Sequence, residues 1–415
     1  MCFNKLKNIN YLKTINWILQ KIPNVKPYKS GLDKIKKFCL YLGNPQNFFK
    51  SIHIGGTNGK GSTVHMLSSI LQEEKYLVGS LTSPHLTDFR ERITCNGNLI
   101  EKDFIVDFIK NNKKYIEKEN ISFFEINTAL SFQYFKEKKI DIAVIEVGIG
   151  GRLDSTNIIN PILSIITSIS IDHENILGNN KIKIAFEKAG IIKNYISVII
   201  GENITKNIKI FLLKNAIKKN APIYFTTKSK EYKIYKIPFK VDYQFFNRNL
   251  VLKIVNILKN RKHFFISDIS IINGFKNVIK NTNIRGRWHI LKNSNPKIIC
   301  DIAHNEQGMY MINLQLKKEN YKELHLVLGF VYTKNLKKLL KYFPTNSNYY
   351  FCQPDINRKY HIDNIKKLLK SNVKNKFYFY NTVKEAYFMA KKKAKKNDII
   401  LVSGSTFVVS EVFLL

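Results

Sequence analysis

Apolar positions follow two patterns along this chain. Leu32, Ile35, Cys39 and Leu42 recur at helical spacing after Ser30 and stop at Gly43-Asn44-Pro45, which predicts a capped amphipathic helix. Ser51-Ile52-His53-Ile54 predicts a short strand running into Gly55-Gly56-Thr57-Asn58-Gly59-Lys60-Gly61-Ser62, after which Val64, Leu67, Ile70 and Leu71 mark the buried stripe of a helix. Further on, Ile140 to Val147 and Ile162 to Thr167 are nearly continuous apolar runs. Strands read this way when both faces are covered, as in a parallel sheet. From about residue 297 a second series begins, with strands expected at Lys297 to Ile302, His325 to Phe330, Tyr349 to Cys352, Phe377 to Tyr380 and Ile399 to Ser403. Asn335 to Tyr342 and Val383 to Lys395 read as helices between them, so this series predicts a second α/β domain. The junction is expected in the polar stretch from Asn281 to Gly286, giving domains 1–284 and 285–415.

The chain has 415 residues and 44% hydrophobic content, enough for two real cores, which excludes a disordered or fibrous protein. Lys and Arg number 68 against 31 Asp and Glu, a net charge of +37. That balance invites nucleic acid, because a basic surface gains affinity from phosphate neutralisation and counterion release. The positive residues are mostly Lys, however, and are spread from end to end amid a surplus of Asn and Ile. A solvated Lys face is therefore expected, with no nucleic-acid partner. The five cysteines lie far apart without a C-x-x-C pair, which suits a reducing compartment rather than a disulfide framework or zinc knuckle. The N-terminus has no apolar targeting core, and no run approaches the ~20 apolar residues of a membrane span. A soluble cytoplasmic protein with no membrane partner is expected.

Several short stretches bear candidate chemistry. In the glycine loop, small residues allow backbone N–H groups to turn around phosphate oxygens while the following helix points its positive end at the same anion. Lys60 would supply a mobile charge to the β- and γ-phosphates and Ser62 a hydroxyl to Mg²⁺, although Gly61 between them departs from the usual G-x-x-x-x-G-K-[ST] spacing. Glu146 ends an apolar strand just before Val147-Gly148-Ile149-Gly150-Gly151, at the sheet rim where α/β proteins bind ligands. A hard cation is the economical partner for such a carboxylate. Asp172-His173 follows the next apolar run in the same manner, so Glu146 and His173 are expected to meet above adjacent strands. Thr82-Ser83-Pro84-His85 closes another strand and can offer a hydroxyl to the metal, with a simple turn as the equal alternative. Lys188 in Glu187-Lys188-Ala189-Gly190 reads, on composition alone, as a solvated residue at a helix end.

Taken in order, Gly56-Thr57-Asn58-Gly59-Lys60-Gly61-Ser62, Thr82-Ser83-Pro84-His85, Glu146 through Asn157 (EVGIGGRLDSTN), Asp172-His173, Glu187-Lys188-Ala189-Gly190 and Asp301-Ile302-Ala303-His304-Asn305 closely resemble the bacterial folylpolyglutamate synthase/dihydrofolate synthase family of the Mur ligase superfamily. The resemblance covers essentially the whole chain. It implies an α/β fold, with a P-loop central domain on a mostly parallel sheet and a smaller Rossmann-like C-terminal domain. It further implies an ATP-dependent ligase that joins the carboxylate of dihydropteroate or folate to L-glutamate through an acyl phosphate, using Mg²⁺, with two ions expected. Carried over by motif, Gly56, Thr57, Asn58, Gly59, Lys60, Gly61 and Ser62 would bind ATP. Ser83 and Glu146 would bind the first metal and His173 the second, and Lys188 resembles the lysine that these enzymes carry as a CO₂-derived carbamate. Gln244 and Asn247 match the adenine-side region loosely, Arg287 and Asp301 resemble residues that close on ATP, His304 would line the glutamate side, and Asp154 and Thr156 fall in the pterin-binding run. Lys60, Lys188, His173 and His304 are thus the catalytic set implied.

Two departures stand out: Thr333-Lys334-Asn335 where relatives usually carry Asp-Lys-Asp, and Phe407 near a usual His. Three rivals remain. A monofunctional folylpolyglutamate synthase would carry the same motifs. A peptidoglycan Mur ligase would need a further domain ahead of the loop, whereas only about 55 residues precede Gly56. A basic P-loop RNA-binding protein has only the net charge in its favour. A monomer acting on small molecules is expected.

Overall fold

The computed structural model describes residues 2–22, 31–227, 234–261, 264–292, 295–369 and 376–415. They divide into two compact units, one of Met1–Pro238 with Gln244–Asn283 and one of Phe239–Tyr243 with Ile284–Leu415.

The first unit is built on an eight-stranded sheet: β1 (Lys50–Gly55), β2 (Val78–Leu81), β3 (Ile93–Cys95), β4 (Asn98–Leu99), β5 (Ile142–Glu146), β6 (Leu163–Ile166), β7 (Val198–Ile200) and β8 (Ile223–Phe225). The order is β4-β3-β2-β5-β1-β6-β7-β8. From β2 through β8 neighbours run parallel, and only β3 and β4 at one edge are antiparallel. The near-continuous apolar runs are central strands, as a sheet covered on both faces requires: every residue of β5 and β6 is buried. The helix Lys60–Glu73 follows β1 and is buried almost all round, with Ser68 and Ser69 enclosed beside Val64, Leu67 and Ile70. Glu125 starts the helix Phe123–Glu137 by accepting from both the Ser122 N–H and its hydroxyl.

The first amphipathic helix spans Asp33–Tyr41 and buries Ile35, Phe38 and Cys39. Its cap differs from expectation. Ser30 lies outside the described residues, and Leu32 occupies the cap position without a side-chain bond, so the start is fixed by packing.

The second unit carries a six-stranded sheet: β9 (His289–Lys292), β10 (Lys297–Cys300), β11 (Leu324–Leu328), β12 (Asn348–Phe351), β13 (Lys376–Phe379) and β14 (Ile399–Ser403). The order is β13-β12-β11-β14-β10-β9, parallel except for β9. The intervening helices begin with side-chain caps that the sequence places ahead of apolar runs: Asn305 before Glu306–Leu316, and the Thr382/Glu385 capping box before Val383–Lys393. Among the described residues no helix is long and apolar enough to cross a membrane.

Candidate active site

Three neighbouring strands end together at the C-terminal rim of the first sheet, the edge where open parallel sheets bind ligands. On β1, Ile54 sits opposite Glu146 of β5 on one side and Ile165 of β6 on the other. The glycine loop therefore leaves the sheet between Glu146 and the segment following β6. This order corrects the expectation that Glu146 and His173 rise above adjacent strands, because β1 separates β5 from β6. His173 is exposed, with φ 51°, and opens a short helix at Glu174–Leu177.

The glycine loop demands glycine twice. Gly56 has φ 142° and Gly59 φ 89°, and a Cβ at either would strike a neighbour, the Thr167 hydroxyl and the Asn247 amide oxygen respectively. The loop is held from outside by the segment after β6. Thr57 N–H donates to the Ser168 carbonyl at 2.8 Å, and Asn58 N–H to the Ser168 hydroxyl at 2.9 Å. The hydroxyls of Thr167 and Ser168 donate to the Asn58 carbonyl at 2.7 and 2.9 Å. Behind it, buried Gln244 donates to Ser62 Oγ at 3.1 Å and accepts from Asn247 at 2.8 Å. The loosely matched Gln244 and Asn247 are thus packed against the loop and the first turn of its helix.

The charges converge on this loop. Lys60 Nζ donates to the Thr57 carbonyl at 3.2 Å and stands 3.9 Å from Glu146 Oε1. Glu146 is buried, and its other oxygen accepts from the Ser83 N–H at 3.0 Å. That bond brings the loop after β2 to the end of β5. Lys188, at the end of the helix Lys181–Ala189, is not the solvated residue that composition suggests. It is 3% exposed and donates to the Gly56 carbonyl at 2.7 Å. Burial, reinforced by the charge of Lys60, lowers its pKa to about 7.

Asp154 and Thr156 are buried and turned on one another. The Asp154 carboxylate accepts from Ile149 N–H at 3.0 Å and from the N–H and hydroxyl of Thr156 at 3.0 and 2.5 Å. The same loop packs on the helix bearing Lys188. A Cβ at Gly151 would lie 2.9 Å from the Glu187 carbonyl, and one at Gly190 would collide with the Arg152 backbone. Arg152 also forms a two-pronged pair with Glu187, at 3.2 and 2.9 Å.

In the second unit, Asp301 follows β10 and accepts from the Tyr243 hydroxyl at 2.5 Å, from Trp288 N–H at 2.8 Å and from Ala303 N–H at 2.9 Å. Burial raises the Asp301 carboxyl, opposed by the Tyr243 bond and the Arg287 charge, and pushes the Tyr243 phenol well above its ordinary value. Arg287 lies between two left-handed residues, Gly286 at φ 68° and Trp288 at φ 50°. His304 Nδ1 is 3.0 Å from the Ile302 carbonyl.

A family model for the Mur ligase middle domain matches residues 54–264, and one for the Mur ligase glutamate ligase domain matches residues 286–406. A dihydrofolate synthase/folylpolyglutamate synthase of Buchnera aphidicola subsp. Schizaphis graminum is 34% identical over 409 residues, covering 93% of each chain. The chain belongs to the dihydrofolate synthase/folylpolyglutamate synthase family. Its fold is also that of Mycobacterium tuberculosis folylpolyglutamate synthase complexed with ADP, at a TM-score of 0.86 and 23% identity over 98% of both chains. A Yersinia pestis bifunctional folylpolyglutamate synthase/dihydrofolate synthase, complexed with AMPPNP and a Mn ion, matches at a TM-score of 0.81 and 24% identity over 97% of both.

Family motifs alone do not disclose the clamp formed by the hydroxyls of Thr167 and Ser168, although hydroxyl residues directly after a buried strand at the rim were a usable signal. Arg92 was also missed. It is buried, donates to His85 Nδ1 at 2.7 Å, and carries its charge near Glu146. Burial lowers its pKa to about 10 and, with Arg92 beside it, that of His85 to about 4. Nothing in the spacing of residues 83–92 announces this pair.

Proposed function

We propose that the chain is an ATP-dependent ligase that joins L-glutamate to the carboxylate of dihydropteroate and of folates. The observation that carries this reading is the convergence of Lys60, Glu146 and buried Lys188 on a clamped glycine loop, in a chain of this family. A carboxylate cannot expel its own oxygen under attack by an amine, so it must first be activated. The carboxylate oxygen attacks the γ-phosphorus, the β–γ bridging bond breaks, and ADP leaves an acyl phosphate. The glutamate amine then attacks the acyl carbon, the bond to the phosphate oxygen breaks, and the amine loses a proton as inorganic phosphate departs.

In this reading the loop N–H groups and Lys60 take the phosphates, with Lys60 adding charge where it builds in the transition state. Gln244, donating to Ser62, fixes the direction of that hydroxyl, and Asn247 lies on the adenine side. A buried carboxylate beside the Ser83 segment suits a hard cation, so Ser83 and Glu146 would hold Mg²⁺ and His173 a second ion. When bound, Mg²⁺ neutralises the transferring phosphoryl group. A lysine lowered to about 7 offers a neutral amine to CO₂, which supports Lys188 as a carbamate and metal ligand. Asp154 and Thr156 serve the pterin side by shaping its loop from within, and Arg287, Asp301 and His304 serve the ATP and glutamate side of the second unit, with domains taken as 1–284 and 285–415. The reading carries with it a cytoplasmic monomer with no nucleic-acid partner.

Release of ADP with ATP, Mg²⁺ and glutamate, measured with dihydropteroate and with tetrahydrofolate in turn, tests this. Turnover with both is expected. Turnover with one alone narrows the activity to that synthase, and no stimulation by either donor overturns the ligase reading.

A further inference from the structure

His53 has no part in the family motifs or in the site as built so far. It lies on β1, fully enclosed, on the opposite face from Ile52 and Ile54. Its Nε2 is 2.8 Å from Thr156 Oγ1. Thr156 has one hydroxyl proton, and it goes to the Asp154 carboxylate at 2.5 Å. Thr156 must therefore accept from His53, which places the ring proton on Nε2. Burial, helped by the charge of Lys193, lowers the His53 pKa to about 3, so the ring is neutral and the donor is fixed by tautomer. The carboxylate at the far end of the chain takes the Ile149 N–H at 3.0 Å, and the Gly148 N–H adds to the hold. Those two amides form the turn that leaves Glu146.

The geometry points to His53 as a positioning residue for the ligase reaction: through Thr156 and Asp154 it fixes the Gly148-Ile149 turn, and with it the loop on the carboxylate-donor side. This rests on the ligase reading. The relay starts on the strand that delivers the nucleotide loop and ends on the neighbouring loop, so one buried hydrogen-bond chain ties two substrate loops to a common frame. Each donor after His53 has a defined acceptor, and the one unbonded atom of the network is His53 Nδ1, buried at the start of the relay. Removing the first link leaves Thr156 Oγ1 one donor short and lets the Asp154 carboxylate turn.

The test compares Thr156→Val and His53→Leu, which break the relay, with Thr156→Ser and His53→Gln, which keep a hydroxyl and an N–H donor in place. The two breaking variants are expected to raise KM for dihydropteroate on the order of 10-fold, the usual scale for lost supporting partners. KM for ATP should stay within about twofold, which separates a loop effect from general loss of binding. Hydrogen exchange at Gly148 and Ile149 should quicken in the breaking variants and stay at the wild-type rate in both conservative variants. Unchanged dihydropteroate KM and unchanged exchange in Thr156→Val overturn the relay, as does an equal rise in both KM values. If wild-type protein releases no ADP with either donor, the ligase reading falls separately. Exchange alone then decides the relay, sustained by faster Gly148 and Ile149 exchange in Thr156→Val but not Thr156→Ser, and overturned by its absence.

Discussion

Residues 56–62 and residues 148–157 leave adjacent strands at the same rim, and the centres of the two loops are secured differently. The first is held by its neighbours: Ser168 and Thr167 bond Asn58, Lys188 bonds the Gly56 carbonyl, and Gln244 bonds Ser62. The second is organised at its centre by one of its own side chains, the buried carboxylate of Asp154, which gathers Ile149 and Thr156, while Arg152 and Asn157 fasten its far end to residues 187–193. A loop that must wrap phosphates needs its N–H groups and its lysine directed at the ligand, so support is delegated to other segments. A loop that only presents a surface can spend a carboxylate on itself. The contrast predicts that substitutions in the first loop damage chemistry, whereas substitutions at the hub of the second damage the fold.

The largest expected effect lies on the chemical side. Lys60→Ala should lower kcat by on the order of 10²-fold or more, since a charge aimed at the transferring phosphoryl group acts where charge develops. Its melting temperature should change little, because the only hydrogen bond the lysine is seen to make within the loop is to the Thr57 carbonyl. Near-normal kcat in this variant would remove the phosphate assignment.

Asp154→Ala should do the reverse. Each buried N–H or hydroxyl stripped of its acceptor costs about 1–3 kcal/mol, and the Ile149 N–H and the N–H and hydroxyl of Thr156 depend on this carboxylate together with the Gly148 N–H, so a loss of about 3 kcal/mol or more is expected. Urea unfolding measures it. A variant as stable as wild type would show that the bonds of Arg152 and Asn157 to residues 187–193 hold the second loop without the carboxylate.

Much of this was legible in the sequence, and what was not has a common cause. The loop, its lysine, Glu146 and the strands of both sheets follow from local pattern, because their residue types answer local demands for φ, charge or burial. The strand order does not. Only the placement of β1 between β5 and β6 brings Thr167 and Ser168 onto the glycine loop and sets Glu146 apart from His173. The excursion of Phe239–Tyr243 into the second unit, which delivers Tyr243 to Asp301, is equally invisible to a reading that seeks one polar junction. Gly151 and Gly190 sit in motifs that look independent until the backbone of Arg152 is seen pressed against Gly190.

Lys188 bears on both sides of the comparison, since it supports the first loop and is packed against the second. Its folded pKa, about 7, is below the ordinary 10.5, so between these values the unfolded chain binds the extra proton. Burial of the lysine therefore costs stability most below about pH 7, and the cost fades as pH rises toward 10. Against Lys188→Met in bicarbonate-free buffer, wild type should gain about 1 kcal/mol per pH unit between pH 7 and 10. Parallel stability curves would show that the ammonium is not desolvated. Addition of ¹³C-bicarbonate should yield a carbamate signal in wild type that Lys188→Met lacks.

The smallest effect is the most direct probe of delegated support. Ser168 Oγ both accepts from Asn58 N–H and donates to the Asn58 carbonyl, at 2.9 Å each. In Ser168→Ala the carbonyl keeps the Thr167 hydroxyl, so only the N–H is orphaned. The expected loss is about 1 kcal/mol, the net value of one hydrogen bond in a partly exposed setting. The loop should then sample more positions around the phosphates. KM for ATP should rise by roughly 3- to 5-fold, as about 1 kcal/mol of binding energy implies, while KM for dihydropteroate stays as it was. Adding Thr167→Val removes the remaining donor, and the double variant should lose more than the sum of the two single losses, because each hydroxyl alone can keep the Asn58 carbonyl satisfied. If Ser168→Ala instead raised KM for dihydropteroate and spared ATP, the two loops would not be held separately, and the division between borrowed and internal support would have to be given up.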